Sequence, residues 1–420
     1  MGTIFDLAER AWSGALGSDT IGLIAPTFAH EEIAPGLHFV HGFANVAVLR
    51  TGEGLVLVDT GSFMTRRRIF EAVRQIGSDL IHTAIYTHGH VDHAFGLPPF
   101  LEEANGRGWP RPRIVAHENV AARFERYRRT RGYNACINAR QFSVARGVVW
   151  PEEYDPPDTT YASSLSLRVG EVSLELHHAR GETDDHTWSW WPERRAVFTG
   201  DQFIWVSPNA GNPQKVQRYP EEWAASLRAM LALGPELLVP GHGVPIFGAA
   251  RVREALEDTA EWLESLVAQT LERMNAGEPL DAIVHEVRPP ARLAQKPYLQ
   301  PAYDDPEFVV RNVWRLYGGW YDGIPAHLRP APHAALGREI AALAGGAGAL
   351  VRRARDLAAA GELRIACHLL DWAVAAAPDD AQAHGARAEI YALRAQRTSA
   401  LMSKGVFGAA ARESKAKAGV

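Results

Sequence analysis

Cysteine is nearly missing from this chain of 420 residues. Cys136 and Cys367 stand alone and far apart, which excludes a disulfide framework and a cysteine-based zinc site. Long apolar runs are missing too. No stretch approaches the roughly 18 residues that a membrane-spanning helix needs, so no membrane role is expected. The opening residues, MGTIFDLAERAWSGALG, lack a basic start followed by an apolar stretch of signal-peptide length. Thr3-Ile4-Phe5-Asp6 lacks the hydroxyl residue of a myristoylation signal. The expected location is cytoplasmic. Excess positive charge is also absent: the net charge of −5 argues against a nucleic-acid footprint. The one basic run, Arg66-Arg67-Arg68, reads as a solvated helix face.

What remains is an ordinary composition, 46% apolar and 22% charged, sufficient for a large domain and a smaller one. Residues 36–60 read as paired strands around a Gly-Glu-Gly turn at 52–54. A helix from about Met64 to Ile76, the short strand IHTAIYTH and then RIVAH with a polar helix give the rhythm of a layered α/β fold. Residues 132–165 read as loop, dense in Pro and Asp. Further strands follow, SLSLRVGEVSLELHHA, HTWSWWP, RAVFTGD and ELLVPGHG, then a long amphipathic helix over 250–276. From Ala334 onward Ala, Leu and Arg recur at helical spacing, broken at Gly361-Glu362 and at Pro378-Asp379-Asp380, like one and a half helical hairpins. So few repeats bury little core alone and should pack on their own domain or on a second subunit. The expected division is an N-terminal extension (1–35), a catalytic domain (36–285), an aromatic and proline-rich connection (286–333), a helical domain (334–410) and a flexible tail (411–420).

One short stretch concentrates chemistry. Tyr86–Gly96, YTHGHVDHAFG, carries His88, His90, Asp92 and His93 on a loop leaving an apolar strand. Imidazole nitrogen and carboxylate oxygen suit a borderline cation such as Zn²⁺. Gly89 lets the loop turn so that His88 and His90 converge, while Asp92 and His93 point elsewhere, so one loop can serve two metals.

With that motif in place, the chain resembles the metallo-β-lactamase-fold hydrolases. LVLVDTG, ending near Asp59, RAVFTGD with Asp201, and LLVPGHG with His242 occur in that family's order over residues 36–248. The resemblance implies an αββα sandwich with two Zn²⁺ per subunit. His88, His90 and Glu182 would hold one, and Asp92, His93 and His242 the other. Asp201 would bridge them, and Asp59 would support the ligands. Where most relatives have Gly-His-Thr this chain has Gly181-Glu182-Thr183, so Glu182 takes the ligand slot and His186 is the competing ligand. Asp184 and Asp185 are supporting groups or turn residues. Glutamate in that slot resembles the alkyl sulfatase branch, as do Gly319-Trp320-Tyr321-Asp322-Gly323-Ile324-Pro325 and the helical segment GELRIACHLLDWAVAAAPDDAQA. That branch implies an all-α, repeat-like dimerisation domain, a homodimer, and hydrolysis of a small anionic sulfate-type ester by metal-activated water. Asp92 and Asp201 would sit at the reacting centre. A lactone, thioester, phosphodiester or amide is the alternative bond.

Lys215 and Arg218 are expected to hold the substrate's anionic group, and Tyr133, Asn134, Asn138 and Arg140 to line the same cleft. Trp150, Trp188, Trp190, Trp191 and Trp205 suit core packing. The bridging Asp201 departs from the glutamate common in that branch, so architecture is better supported than sulfate specificity.

Overall fold

The computed structural model describes residues 3–16, 25–143 and 148–419. The chain divides into two compact units. One takes Met1–Arg131, Trp150–Gly277 and Ala282–Tyr317; the other takes Gly132–Val149, Glu278–Asp281 and Gly318–Val420.

The first unit is built on two sheets. The first sheet runs in chain order: β1 (His30–Ala34), β2 (Leu37–Val40), β3 (Val46–Thr51), β4 (Gly54–Val58), β5 (Ile81–Ile85), β6 (Arg113–His117) and β7 (Thr159–Tyr161). β1 to β4 pair antiparallel, and β4 to β7 pair parallel through helical crossovers. The second sheet holds β8 (Ser164–Val169), β9 (Val172–His178), β10 (Thr187–Trp191), β11 (Ala196–Gly200), β12 (Leu237–Pro240) and β13 (Ile246–Phe247). Its β11 and β12 are parallel and its other pairs antiparallel.

Period-two alternation sends one face of each sheet inward. Phe39, Leu49, Val56, Val58 and Ile85 of the first sheet meet Leu167, Leu174, Leu176, Trp191 and Phe198 of the second in one core. The opposite residues of β3 and β4, Val46, Val48, Leu55 and Leu57, are buried as well, because helices cover the outer faces. Helices Arg66–Ile76 and Ala249–Asn275 do this on opposite sides. The result is the expected αββα sandwich. All five tryptophans assigned to packing are buried.

Three expectations about the chain's course change. The segment 1–35 is not an extension outside the sandwich: helix Ile4–Trp12 places Ile4 in the core and β1 forms the sheet edge. Residues 132–165 are not all loop, since Arg131–Gln141 is helical. The prolines begin only at Pro151, so nothing in the earlier stretch stops a helix. The tail is not frayed. Helix Leu401–Ala418 buries Ala409, Ala411 and Ser414, and Ser414 Oγ accepts a bond from Arg387 Nη1 at 2.8 Å. Small alanine side chains let this helix lie close against Ala381–Gln396.

The second unit is helical. His333–Ala344, Ala347–Ala359, Leu363–Ala376 and Ala381–Gln396 follow the breaks read from the sequence and share a core around Leu350, Cys367, Leu370 and Ile390. Trp320 of the GWYDG turn is 68% exposed rather than packed. Among the described residues no single helix is long and apolar enough to cross a membrane; His333–Ala344 and Ala347–Ala359 reach that length only together, across an 83° bend.

Candidate metal centre

The chemistry-bearing side chains of the first unit sit where strands end. Asp59 follows β4, the His88–His93 loop follows β5, Asp201 follows β11 and His242 follows β12, while Glu182 lies between β9 and β10. The sandwich therefore delivers them to one rim. Gly200 adopts φ +49°, and a Cβ there would stand 2.7 Å from His186 Nε2, so only glycine turns β11 into Asp201 at this point.

Two groups form. His88, His90, Glu182 and Asp201 bring one ligand atom each within 4.8 Å of one another, and so do Asp92, His93 and His242. Glu182 Oε2 lies 3.5 Å from His90 Nδ1 and 3.8 Å from His88 Nε2. Asp201 faces both groups. Its Oδ2 is 3.8 Å from His88 Nε2, and its Oδ1 is 3.1 Å from His93 Nε2 and 3.3 Å from His242 Nε2.

Three of the imidazoles, His88, His93 and His242, are oriented from behind. Asp59, a non-glycine residue at φ 60°, accepts the Thr87 amide and hydroxyl at 2.8 Å each and His93 Nδ1 at 2.7 Å. Thr87 Oγ1 in turn meets His88 Nδ1 at 3.0 Å. His242 Nδ1 donates to the Phe43 carbonyl. Asn45 ties the His242 loop to the first sheet, its Nδ2 donating to Pro240 O and Gly243 O at 3.0 Å.

The donor set fits a divalent cation. A carbonyl can only accept, so the His242 Nδ1 hydrogen is committed, and that of His93 is committed to Asp59. In their neutral forms the two Nε2 atoms then face each other as lone pairs 3.3 Å apart. Glu182 Oε2 is buried without a hydrogen-bond donor among the described residues, an arrangement that is costly unless a cation meets it.

Charge tells the same story. Asp59, Asp92, Glu182 and Asp201 converge on this rim, and Arg218 pairs with Glu182. Burial holds His88 and His90 well below the usual imidazole pKa. Burial acts the same way on His93, but Asp201 and Asp59 outweigh it and hold that imidazole well above its ordinary value. Burial, with Asp201 beside it, pushes Glu182 up to about 8 against the pull of Arg218. Without a cation, protons are drawn in to neutralise the site.

The competing ligand His186 does not join either group. Its Nε2 accepts the Asp201 amide at 3.2 Å, and burial lowers its pKa to about 4, so it stays a neutral acceptor. Asp185 and Arg123 support the loop instead. Asp185 Oδ2 accepts the Gly89 amide at 3.0 Å and Arg123 Nε at 2.8 Å, and Arg123 also binds Asp184. Arg123 was not foreseen, although it shares the i, i+3, i+4, i+7 face of Val120, Phe124 and Tyr127, and an arginine at a core position implies a buried partner. Asn209 was also missed; its Nδ2 donates to Glu182 Oε1.

The predicted substrate contacts fall in both units. Lys215 is half-buried, and burial followed by Arg218 lowers it to about 8, with Glu182 and Asp92 pulling the other way. Arg218 Nη1 pairs with Glu182, while its Nε is buried with no hydrogen-bond partner among the described residues. Tyr133, Asn134, Asn138 and Arg140 lie on helix Arg131–Gln141, which from Gly132 onward belongs to the other unit. Tyr133 is exposed, while Asn134 and Asn138 are buried, with Asn138 Nδ2 donating to Asn134 O at 2.8 Å.

Comparison with known proteins now bears on this geometry. Residues 40–242 match the family described as the metallo-beta-lactamase superfamily, and residues 280–417 match the family described as alkyl sulfatase dimerisation. Residues 40–242 therefore form a metallo-beta-lactamase domain and residues 280–417 an alkyl sulfatase dimerisation domain. The chain is 27% identical over 366 residues to a linear primary-alkylsulfatase of a Pseudomonas strain, covering 82% of this chain and 69% of that protein. It is 27% identical over 385 residues to an (R)-specific secondary-alkylsulfatase of Pseudomonas sp., covering 85% of this chain and 58% of that one. The structure of a stereoselective inverting sec-alkylsulfatase of Pseudomonas sp. superposes with a TM-score of 0.85 at 24% identity, covering 93% of this chain and 66% of that one; this shows a shared fold. The chain spans 58–69% of the length of these relatives. Its metallo-beta-lactamase domain carries the rim described above, and its alkyl sulfatase dimerisation domain covers the helical segment.

Proposed function

We propose that the protein is a dinuclear zinc hydrolase of sulfate-type esters and that it works as a homodimer held by the helical domain. The observation that carries the metal reading is Asp201, whose two oxygens face the two groups of nitrogen and oxygen donors. In this reading His88, His90 and Glu182 would hold one ion, Asp92, His93 and His242 would hold the other, and Asp201 would serve both. Bound zinc supplies Lewis acidity and brings the pKa of water towards about 7.

The chain's own residues set up the rest. Asp59 and Thr87 fix the tautomers of His93 and His88, leaving both Nε2 atoms toward the rim. His186 and Gly200 hold the Asp201 backbone. Lys215, on the segment that follows Asp201, supplies positive charge for an anionic group. The alkylsulfatase names of the relatives support the sulfate ester as the bond cleaved.

One observation favours a less highly charged substrate as a second reading: Arg218 is already paired with Glu182, which leaves less positive charge for an anion. Turnover of medium-chain alkyl sulfates beside lactones, thioesters and aryl phosphodiesters decides. Alkyl sulfate hydrolysis that is lost in His90→Ala supports the first reading. Hydrolysis confined to one of the other bonds overturns sulfate specificity and leaves the metal centre standing.

A further inference from the structure

We infer that Arg218 is the positioning residue that fixes which oxygen of Glu182 the centre offers to metal. This rests on the metal reading proposed above.

Arg218 is 2% exposed. Its Nη1 lies 2.9 Å from Glu182 Oε1 and also donates to the Glu182 carbonyl. Asn209 Nδ2 donates to the same Oε1. Oε1 thus holds the Asn209 hydrogen bond and the Arg218 ion pair, while Oε2 has no hydrogen-bond donor among the described residues, and Oε2 is the oxygen that faces His88 and His90. The last torsion of a glutamate is broad, so a carboxylate without these donors would present either oxygen. The two donors remove that freedom by consuming one oxygen on the protein side.

The arginine is itself placed by the fold. Asn312, on helix Pro306–Gly318, donates to the Arg218 carbonyl at 3.0 Å and accepts the Arg218 amide at 3.3 Å. Nη1 thus serves Glu182, while Nε is buried with no hydrogen-bond partner among the described residues. The charge also matters. Glutamate in place of a neutral histidine adds a negative charge beside Asp201, and Arg218 balances it without entering either donor group.

The test is zinc binding by metal-stripped protein, titrated against a chromophoric chelator. Arg218→Lys keeps the charge and loses the forked geometry. It should weaken one zinc equivalent by about 10–100-fold, the usual cost of losing a group that orients a metal ligand. Glu182→Gln should weaken the same equivalent, and adding Arg218→Lys to it should cost nothing more. Zinc binding in Arg218→Lys equal to that of the wild type overturns the inference, and so does an additive loss in the double variant. Should Arg218→Lys fail to fold, Asn209→Ala removes the other donor on the same oxygen, and unchanged zinc binding there also overturns the inference. A wild-type chain that takes up no zinc overturns the metal reading itself, an outcome distinct from normal wild-type binding with an unaffected variant.

Discussion

Asp59 Oδ2 accepts the Nδ1 hydrogen of His93 at 2.7 Å, from a backbone held in the left-handed region. A non-glycine residue in that region marks strain retained for a purpose. Here the strained backbone aims one carboxylate at His93, the Thr87 hydroxyl and the Thr87 amide together.

Asp59→Asn keeps the shape and removes the charge. The amide can present N–H to His93 Nδ1, which moves the imidazole hydrogen to Nε2 and spoils that atom as a ligand. Zinc affinity should fall by about 10–100-fold with the far-ultraviolet circular dichroism unchanged. Wild-type affinity in this variant contradicts the orienting role.

Gly241 sits where the β12 rim meets Asp201. A Cβ there would stand 2.3 Å from Asp201 Oδ1 and 2.7 Å from the Gly200 carbonyl carbon. Gly241→Ala should displace Asp201 and His242 together, costing about 1–3 kcal/mol by urea unfolding and lowering zinc content. A variant with full zinc content and wild-type stability would show that the rim is looser than described.

Asp304 gives a pH dependence. Burial pushes its carboxyl from 3.8 up to about 7, while the amides of Gly211 and Asp305 and the charge of Arg218 pull it down. The folded chain holds a proton that the unfolded chain has released between those values, so this residue makes stability fall as pH rises from about 4 to about 7. Asp304→Asn cannot ionise. In metal-free protein, the wild-type minus variant difference in unfolding free energy should decline across that window. A flat difference contradicts the assignment.

The helical unit exposes Trp320, Leu328 and Leu343 at 68%, 55% and 90%. We place the interface of the proposed homodimer on these side chains. Changing all three to serine should shift the mass by light scattering from dimer to monomer with helicity retained. A dimer that persists unchanged places the interface elsewhere.

Much of the rim was legible because its residues announce themselves in order. His88, His90, Asp92 and His93 share one loop, and Asp201 and His242 each end an apolar strand. The strand–helix rhythm likewise pointed to a layered α/β fold, and the family resemblance to the sandwich. Side-chain commitment was not legible. Arg218 and Lys215 look alike as free cations in sequence, and only packing shows that Asn209 and Arg218 share one oxygen of Glu182. Nor does proximity in sequence assign residues to a unit: Tyr133 and Asn138 fall in the same stretch of chain as residues of the sandwich yet cluster with the helices. The tail was misread because a run of alanine, lysine and serine resembles a solvated end until a neighbouring helix supplies its contact.

The central claim is a pair of cations at one rim, and anomalous diffraction from zinc-soaked crystals tests it most directly. The account predicts two peaks, one among His88, His90 and Glu182 and one among Asp92, His93 and His242, with Asp201 between them. Crystals of catalytically active protein with no peak at this rim would contradict it.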